Sequence, residues 1–90
     1  MLIIHEVADY AQWKAAFDAA APLRRTAGEV SYQLLCSDDD ANMVVHFSEW
    51  NNLAAARAFF ESPEVAEIRR RAGVRQPQFR YLERIEQGIL

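Results

Sequence analysis

The chain has 90 residues, 51% hydrophobic and 26% charged, with only three prolines and three glycines. That make-up fits one folded domain over residues 1–90 and excludes a disordered or low-complexity chain. The net charge of −3 argues against a nucleic-acid partner, which needs a basic stripe, and no apolar run approaches the ~20 residues of a membrane span.

Cys36 is the only cysteine, so an intrachain disulfide or an all-cysteine metal site is excluded. The opening Met1-Leu2-Ile3-Ile4-His5-Glu6 lacks the basic start and cleavage site of a secretory leader, so the expected compartment is the cytoplasm. A domain this short buries only about 60–65% of its unfolded surface, which leaves its core marginal unless a partner extends it.

Leu2 to Val7 is an apolar, β-branched run and predicts a strand. Asp9 and Gln12 then stand at capping-box spacing, and Tyr10, Trp13, Phe17 and Ala20 recur on one helical face. This predicts a helix to about Arg25, stopped by Gly28, with Pro22 kinking it or starting a separate piece. Val30 to Ser37 alternates like a strand, Asp38 to Asn42 is a polar turn, and Met43 to Trp50 is the returning strand.

Asn51 or Asn52 caps a second helix that carries Leu53, Ala56, Phe59 and Phe60 inward. Ser62-Pro63-Glu64 restarts it, Val65, Ile68 and Ala72 continue the stripe, and Gly73 ends it. The last strand is predicted at Gln78 to Glu86, entered through Pro77.

The order β-α-β-β-α-β predicts an α+β, ferredoxin-like fold: a four-stranded antiparallel sheet with two helices on one face. Sorted by parity, one set of strand residues holds Val30, Tyr32, Leu34, Cys36, Met43, Val45, Phe47, Phe79, Tyr81 and Ile85. The other holds Ser31, Gln33, Leu35, Val44, His46, Ser48, Trp50, Gln78, Arg80 and Leu82. Both are too apolar for a solvated face, so a second copy packed sheet to sheet is expected, the alternative being a monomer with an exposed patch.

Three segments carry a resemblance: His5-Glu6-Val7 with Asp9-Tyr10 and Trp13-Lys14, then Phe47-Ser48-Glu49-Trp50, then Phe59-Phe60 with Ser62-Pro63-Glu64. The chain resembles the dimeric α/β-barrel superfamily, nearest its antibiotic-biosynthesis-monooxygenase-like branch. The resemblance implies a homodimer with a cleft between sheet and helices, and activities that include cofactor-free oxygenation of polyphenols to quinones. In the quinone-forming branch an asparagine lies four residues before a tryptophan, with an arginine on the following helical segment. Here Trp50 matches the tryptophan, His46 stands at the asparagine position, Arg69 to Arg71 lie near the arginine, and Ala56 replaces an expected tyrosine. The haem-degrading pattern fits less, since His5, Phe59 and Arg69 stand where its asparagine, tryptophan and histidine belong.

His5 and His46 are the two histidines and the expected catalytic residues, because imidazole suits proton transfer near neutral pH; the competing reading is packed strand histidines. Trp50 and Tyr32 are candidate walls for an aromatic ligand, and Arg80 and Arg70 candidate ligand-binding cations, against ordinary core packing and surface ion pairs. Asp38-Asp39-Asp40 lacks the glycine and distant glutamate of a calcium loop, and no Cys/His metal spacing or glycine-rich phosphate loop occurs, so no metal or cofactor is expected. The function expected is an enzyme-like subunit for a small aromatic or polyketide-like molecule, a cofactor-independent monooxygenase. The runners-up are a non-catalytic ligand-binding or stress-associated module and a purely structural dimer.

Overall fold

The computed structural model describes all residues from Met1 to Leu90. In chain order it contains β1 (Leu2–Val7), α1 (Tyr10–Ala19), α2 (Ala21–Ala27), β2 (Glu29–Ser37), β3 (Asp40–Trp50), α3 (Leu53–Phe60), α4 (Pro63–Arg71) and β4 (Val74–Arg80). The strands form one antiparallel sheet in the order β2-β3-β1-β4, which is the ferredoxin-like arrangement expected.

The caps explain where the helices begin. Asp9 accepts the backbone N–H of Gln12 at 3.1 Å, Asn52 that of Ala55 at 2.7 Å, and Ser62 that of Val65 at 3.3 Å. Each satisfies a donor that the first helical turn leaves orphaned. Asn52, not Asn51, is therefore the cap of α3, and Asn52→Ala should cost about 1 kcal/mol, a fall of roughly 5 °C in Tm, while Asn51→Ala costs less. Calorimetry on the two variants checks this.

The first helix to Arg25 is in fact two helices. Pro22 lies in the first turn of α2, where its missing N–H is tolerated, and the break falls at Ala20. Gly28, at φ 126°, then turns the chain into β2. The hairpin turn is shorter than expected, since β2 runs to Ser37 and β3 starts at Asp40.

The last strand differs most from expectation: it begins at Val74, contains Pro77 and ends at Arg80. β4 is an edge strand paired only with β1. Ile4 pairs with Gln78 and Glu6 with Arg75, so Gln76 (φ 45°) and Pro77 form a bulge opposite His5. A proline without a ladder donor is accommodated at such an edge bulge. Residues 81–90 have no regular structure, although Arg84 reaches Glu49 at 3.0 Å.

The strand register also corrects the two parity sets. Leu34 lies opposite His46 and Tyr32 opposite Ser48, so Tyr32 and Leu34 share a face with Val44 and His46, not with Met43 and Val45. Phe79 faces the same way, opposite Ile3, whereas Arg80 lies opposite Leu2 on the other face. Parity within a strand is visible in sequence, but the phase between strands depends on the turn and the bulges beside it.

The helices cover the face that carries Ile3, His5, Val7, Val44, His46, Ser48 and Trp50. Two apolar clusters form there, one joining Met1, Ile3 and Trp50 to Ala56, Phe60 and Val65, the other joining Val7 and Val44 to Trp13, Phe17 and Ala72. No helix is long and apolar enough to cross a membrane. The opposite face presents Leu2, Ile4, Met43, Val45, Phe47 and Leu35 with no helix over it; Phe47 is 43% and Leu35 50% exposed.

Candidate functional site

A cavity of about 60 Å³ lies between the helices and the sheet. That is room for a few waters at ~15 Å³ each. Trp13 and Phe17 of α1 and Phe59 and Phe60 of α3 wall it with aromatic rings, Val65 and Ile68 of α4 add aliphatic surface, and three polar side chains join them: His5, Arg24 and Arg69.

His5 comes from β1, where its parity with Ile3 and Val7 turns it inward, and it is only 4% exposed. Its ring lies 5.3 Å from that of Trp13, and its Nδ1 has no hydrogen-bond partner. Burial, aided by the nearby His46 and Arg69, pushes its pKa from 6.5 down to about 3. The imidazole is therefore neutral at physiological pH.

Arg69 approaches from α4, and its guanidinium lies 4.9 Å from the centre of the Phe79 ring. Its Nη1 is buried with no partner, and burial lowers the pKa of the group. Arg70 and Arg71, its neighbours, both turn outward and share Glu67 at 2.6 and 3.0 Å.

Arg24 is the opposite case, because its Nε, its Nη1 and the face of its guanidinium are all engaged. It is 4% exposed, its Nε donates to Glu29 Oε1 at 2.8 Å, its Nη1 donates to the carbonyl of Phe17, and its guanidinium covers the Phe17 ring at 3.6 Å. The other carboxylate oxygen of Glu29 lies 2.9 Å from His46 Nε2, in contact but outside hydrogen-bonding angle. Burial pushes the Glu29 carboxyl up, yet His46 and Arg24 outweigh it and hold the group below its usual range. An Arg24–Glu29 ion pair, with the His46 ring against it, thus stands behind the aromatic wall.

The predicted site residues are spread over five places. His5 is part of the cavity lining. His46, 2% exposed, packs edge-on against Phe17 at 5.0 Å, behind that ring, and Tyr32 meets the same two rings from the rim of β2 at 5.2 and 6.1 Å. Trp50 touches the cavity only through Phe59 and Phe60, 5.4 and 5.3 Å away, while its Nε1 donates to Ser48 Oγ. It borders instead an open groove under the C-terminal segment with Met1, Leu82 and Arg84. Arg70 is paired with Glu67 at the surface, and Arg80 lies on the helix-free face, donating to the carbonyl of Phe79. No group of three or more His, Cys, Asp or Glu side chains meets in metal-binding geometry.

The sequence does not single out Arg24 or Glu29, and of the run Arg69 to Arg71 it offers Arg70, not Arg69, as the ligand-binding cation. A signal existed for Arg69: it stands four residues after Val65 and three before Ala72, on the inward stripe of α4, whereas Arg70 and Arg71 fall off it. Arg24 and Glu29 flank the helix-stop Gly28, and only the turn at that glycine brings them together.

Residues 8–71, well over half of the chain, match the antibiotic biosynthesis monooxygenase family. The chain belongs to that family. The matched stretch includes Trp13, Phe17, Arg24, Glu29, His46 and Arg69, with His5 just ahead of it. Family membership makes this a small monooxygenase-like or ligand-binding fold. A direct comparison with curated proteins gave no match to the chain.

Proposed function

We propose that the protein is a homodimeric, cofactor-independent monooxygenase whose helix-side cavity takes a small polyphenolic or polyketide-like aromatic. The observation that carries this reading is an aromatic-walled cavity whose lining includes His5 and Arg69, two side chains that each keep a buried nitrogen, Nδ1 and Nη1, without a partner. Buried polar atoms are nearly always satisfied, so a pair of orphans in one cavity marks a place for a ligand oxygen. Flat rings stack well on the Trp13 and Phe17 walls.

In this reading the phenolic oxygen sits at Arg69 and His5, and its ionised form makes the ring electron-rich. An activated ring methylene then loses a proton to solvent, passes its electrons to molecular oxygen and forms a C–O bond to it. The resulting hydroperoxide loses water and leaves a carbonyl, so one oxygen atom enters product and the other leaves as water. His46 acts from behind Phe17 as a positioning residue, held by Glu29, and Tyr32 closes the rim.

The test is oxygen consumption by the full chain with a panel of anthrone-like and hydroquinone-like phenols. The expected result is substrate-dependent uptake, with label from ¹⁸O₂ in the product carbonyl, and its loss in His5→Ala. Binding of such phenols without oxygen uptake would overturn the enzyme and leave a binding module. That second reading has its own support, since a histidine with a pKa of about 3 is a weak base and the cavity is small.

The homodimer is supported by the uncovered apolar face, centred on Ile4, Val45 and Phe47. Light scattering should give twice the 10.3 kDa chain mass, and Val45→Glu should return it to one chain. A wild-type protein monodisperse at the single-chain mass would sink the dimer.

A further inference from the structure

We propose that Arg69 makes this cavity an anion receptor, so that its ligand is a flat organic acid taken up already ionised, with the charged oxygen on Arg69 Nη1 and a hydrogen bond from His5 Nδ1. The proposal rests on reading the cavity as a ligand site and adds the charge of the ligand to it.

The argument begins with what the cavity lacks. Two guanidinium groups and one imidazole reach its lining, but no carboxylate does. Arg24 is already neutralised by Glu29 at 2.8 Å. Arg69 is not: the carboxylate nearest on its own helix, Glu67, is held by Arg70 and Arg71, and Arg69 has no ion-pair partner of its own. A partly buried cation with a buried, unpartnered N–H is costly to keep, and an anion entering the cavity removes that cost. The Phe79 ring, its centre 4.9 Å from the guanidinium carbon, attracts the charge without satisfying its donors.

His5 adds the second half of the receptor. Its neighbours His46 and Arg69 and its burial keep it neutral, so it meets an anion as a hydrogen-bond donor in its Nδ1–H form and not as a competing charge. A neutral imidazole of such low basicity is a poor device for removing a phenolic proton. The same feature suits a ligand that arrives without that proton, such as an aromatic carboxylate or an acidic enol. The remaining lining is apolar and ring-shaped, which sets the ligand body as flat and unsaturated.

Benzoate and its neutral isostere benzamide are the probes, titrated into the full chain by calorimetry and by NMR shifts of His5 and of the Ala16, Ile68 and Ala72 methyls. Benzoate should bind at least about tenfold more tightly than benzamide, the worth of one charge-assisted hydrogen-bonded contact. Arg69→Gln should bring benzoate down to the benzamide level, and Arg69→Lys should keep part of the preference. The wild-type comparison stands even if a variant fails to fold. Equal binding of the two probes would overturn the anion receptor while leaving a ligand site. Binding of neither would overturn both readings together.

Discussion

On lowering the pH from 6.5 to 4.5 the folded protein should lose about 2 kcal/mol of stability through His5. The sign follows from proton counting. Unfolded, His5 takes up a proton near 6.5; folded, it stays neutral until about 3. The unfolded state therefore binds more protons throughout that interval, so the contribution is complete above 6.5 and is lost as the pH falls toward 3. Burial at 4% exposure beside two other basic groups is the cause.

Two carboxyls add acid sensitivity only lower down. Glu29 and Glu67 are both held below their ordinary 4.5, Glu67 to about 2 by Arg70 and Arg71, so what they contribute is present above 4.5 and lost as the pH falls through their folded values. Urea midpoints at pH 7, 5.5 and 4.5 separate the cases. His5→Gln, which cannot titrate, should flatten the curve between 6.5 and 4.5 and leave the steeper fall below it. An equally sloped curve in wild type and variant would show that the buried imidazole is not held neutral.

The second large effect is expected at Glu29. Glu29→Leu should cost about 3–5 kcal/mol, because it strands the Arg24 charge in the interior. The side chains of Arg24 and Glu29 are 5% and 6% exposed, so water cannot take over the lost partner. Removing both, in Arg24→Leu with Glu29→Leu, should recover most of the loss, since two leucines replace a pair whose desolvation nearly cancels its attraction. Chemical denaturation of the two single variants and the double variant gives the coupling energy. Should Glu29→Leu cost under about 1 kcal/mol, the buried array is not what fastens α2 to the sheet. Arg24 also holds the Phe17 carbonyl and covers its ring, so Glu29→Leu should in addition loosen that cavity wall and broaden the Phe17 resonances.

Much of the candidate site was readable in advance, but unevenly. His5 and His46 stand out as polar residues in apolar strands, but alternation gives only which neighbours share their side, and the packing of the helices decides that this side is the covered one. Which of them reaches the cavity depends on how Phe17 packs, and periodicity does not report that. The arginines show the same division. Arg69, Arg70 and Arg71 are alike in composition, yet one faces the sheet and two face water, a difference of 100° per residue around α4. Arg80 shares a parity set with His46 and Trp50 in the sequence, yet it lies on the opposite, helix-free face, and the strand that carries it begins four residues earlier than its sequence suggests.

What the sequence determined by itself was local: caps at Asp9, at Asn51 or Asn52, and at Ser62, stops at Gly28 and Gly73, two hydrophobic periods, and hence the β-α-β-β-α-β order. Each is set by hydrogen bonds and sterics within a few residues, so the signal lies in adjacent letters. Only the tertiary structure decided the phase between β2 and β3, the bulge that admits Pro77, and the meeting of Arg24, Glu29 and His46. Those depend on packing between elements and on where a buried charge can find its opposite: Arg24 and Glu29 are only five residues apart, but the turn between them and the distant His46 decide that they meet.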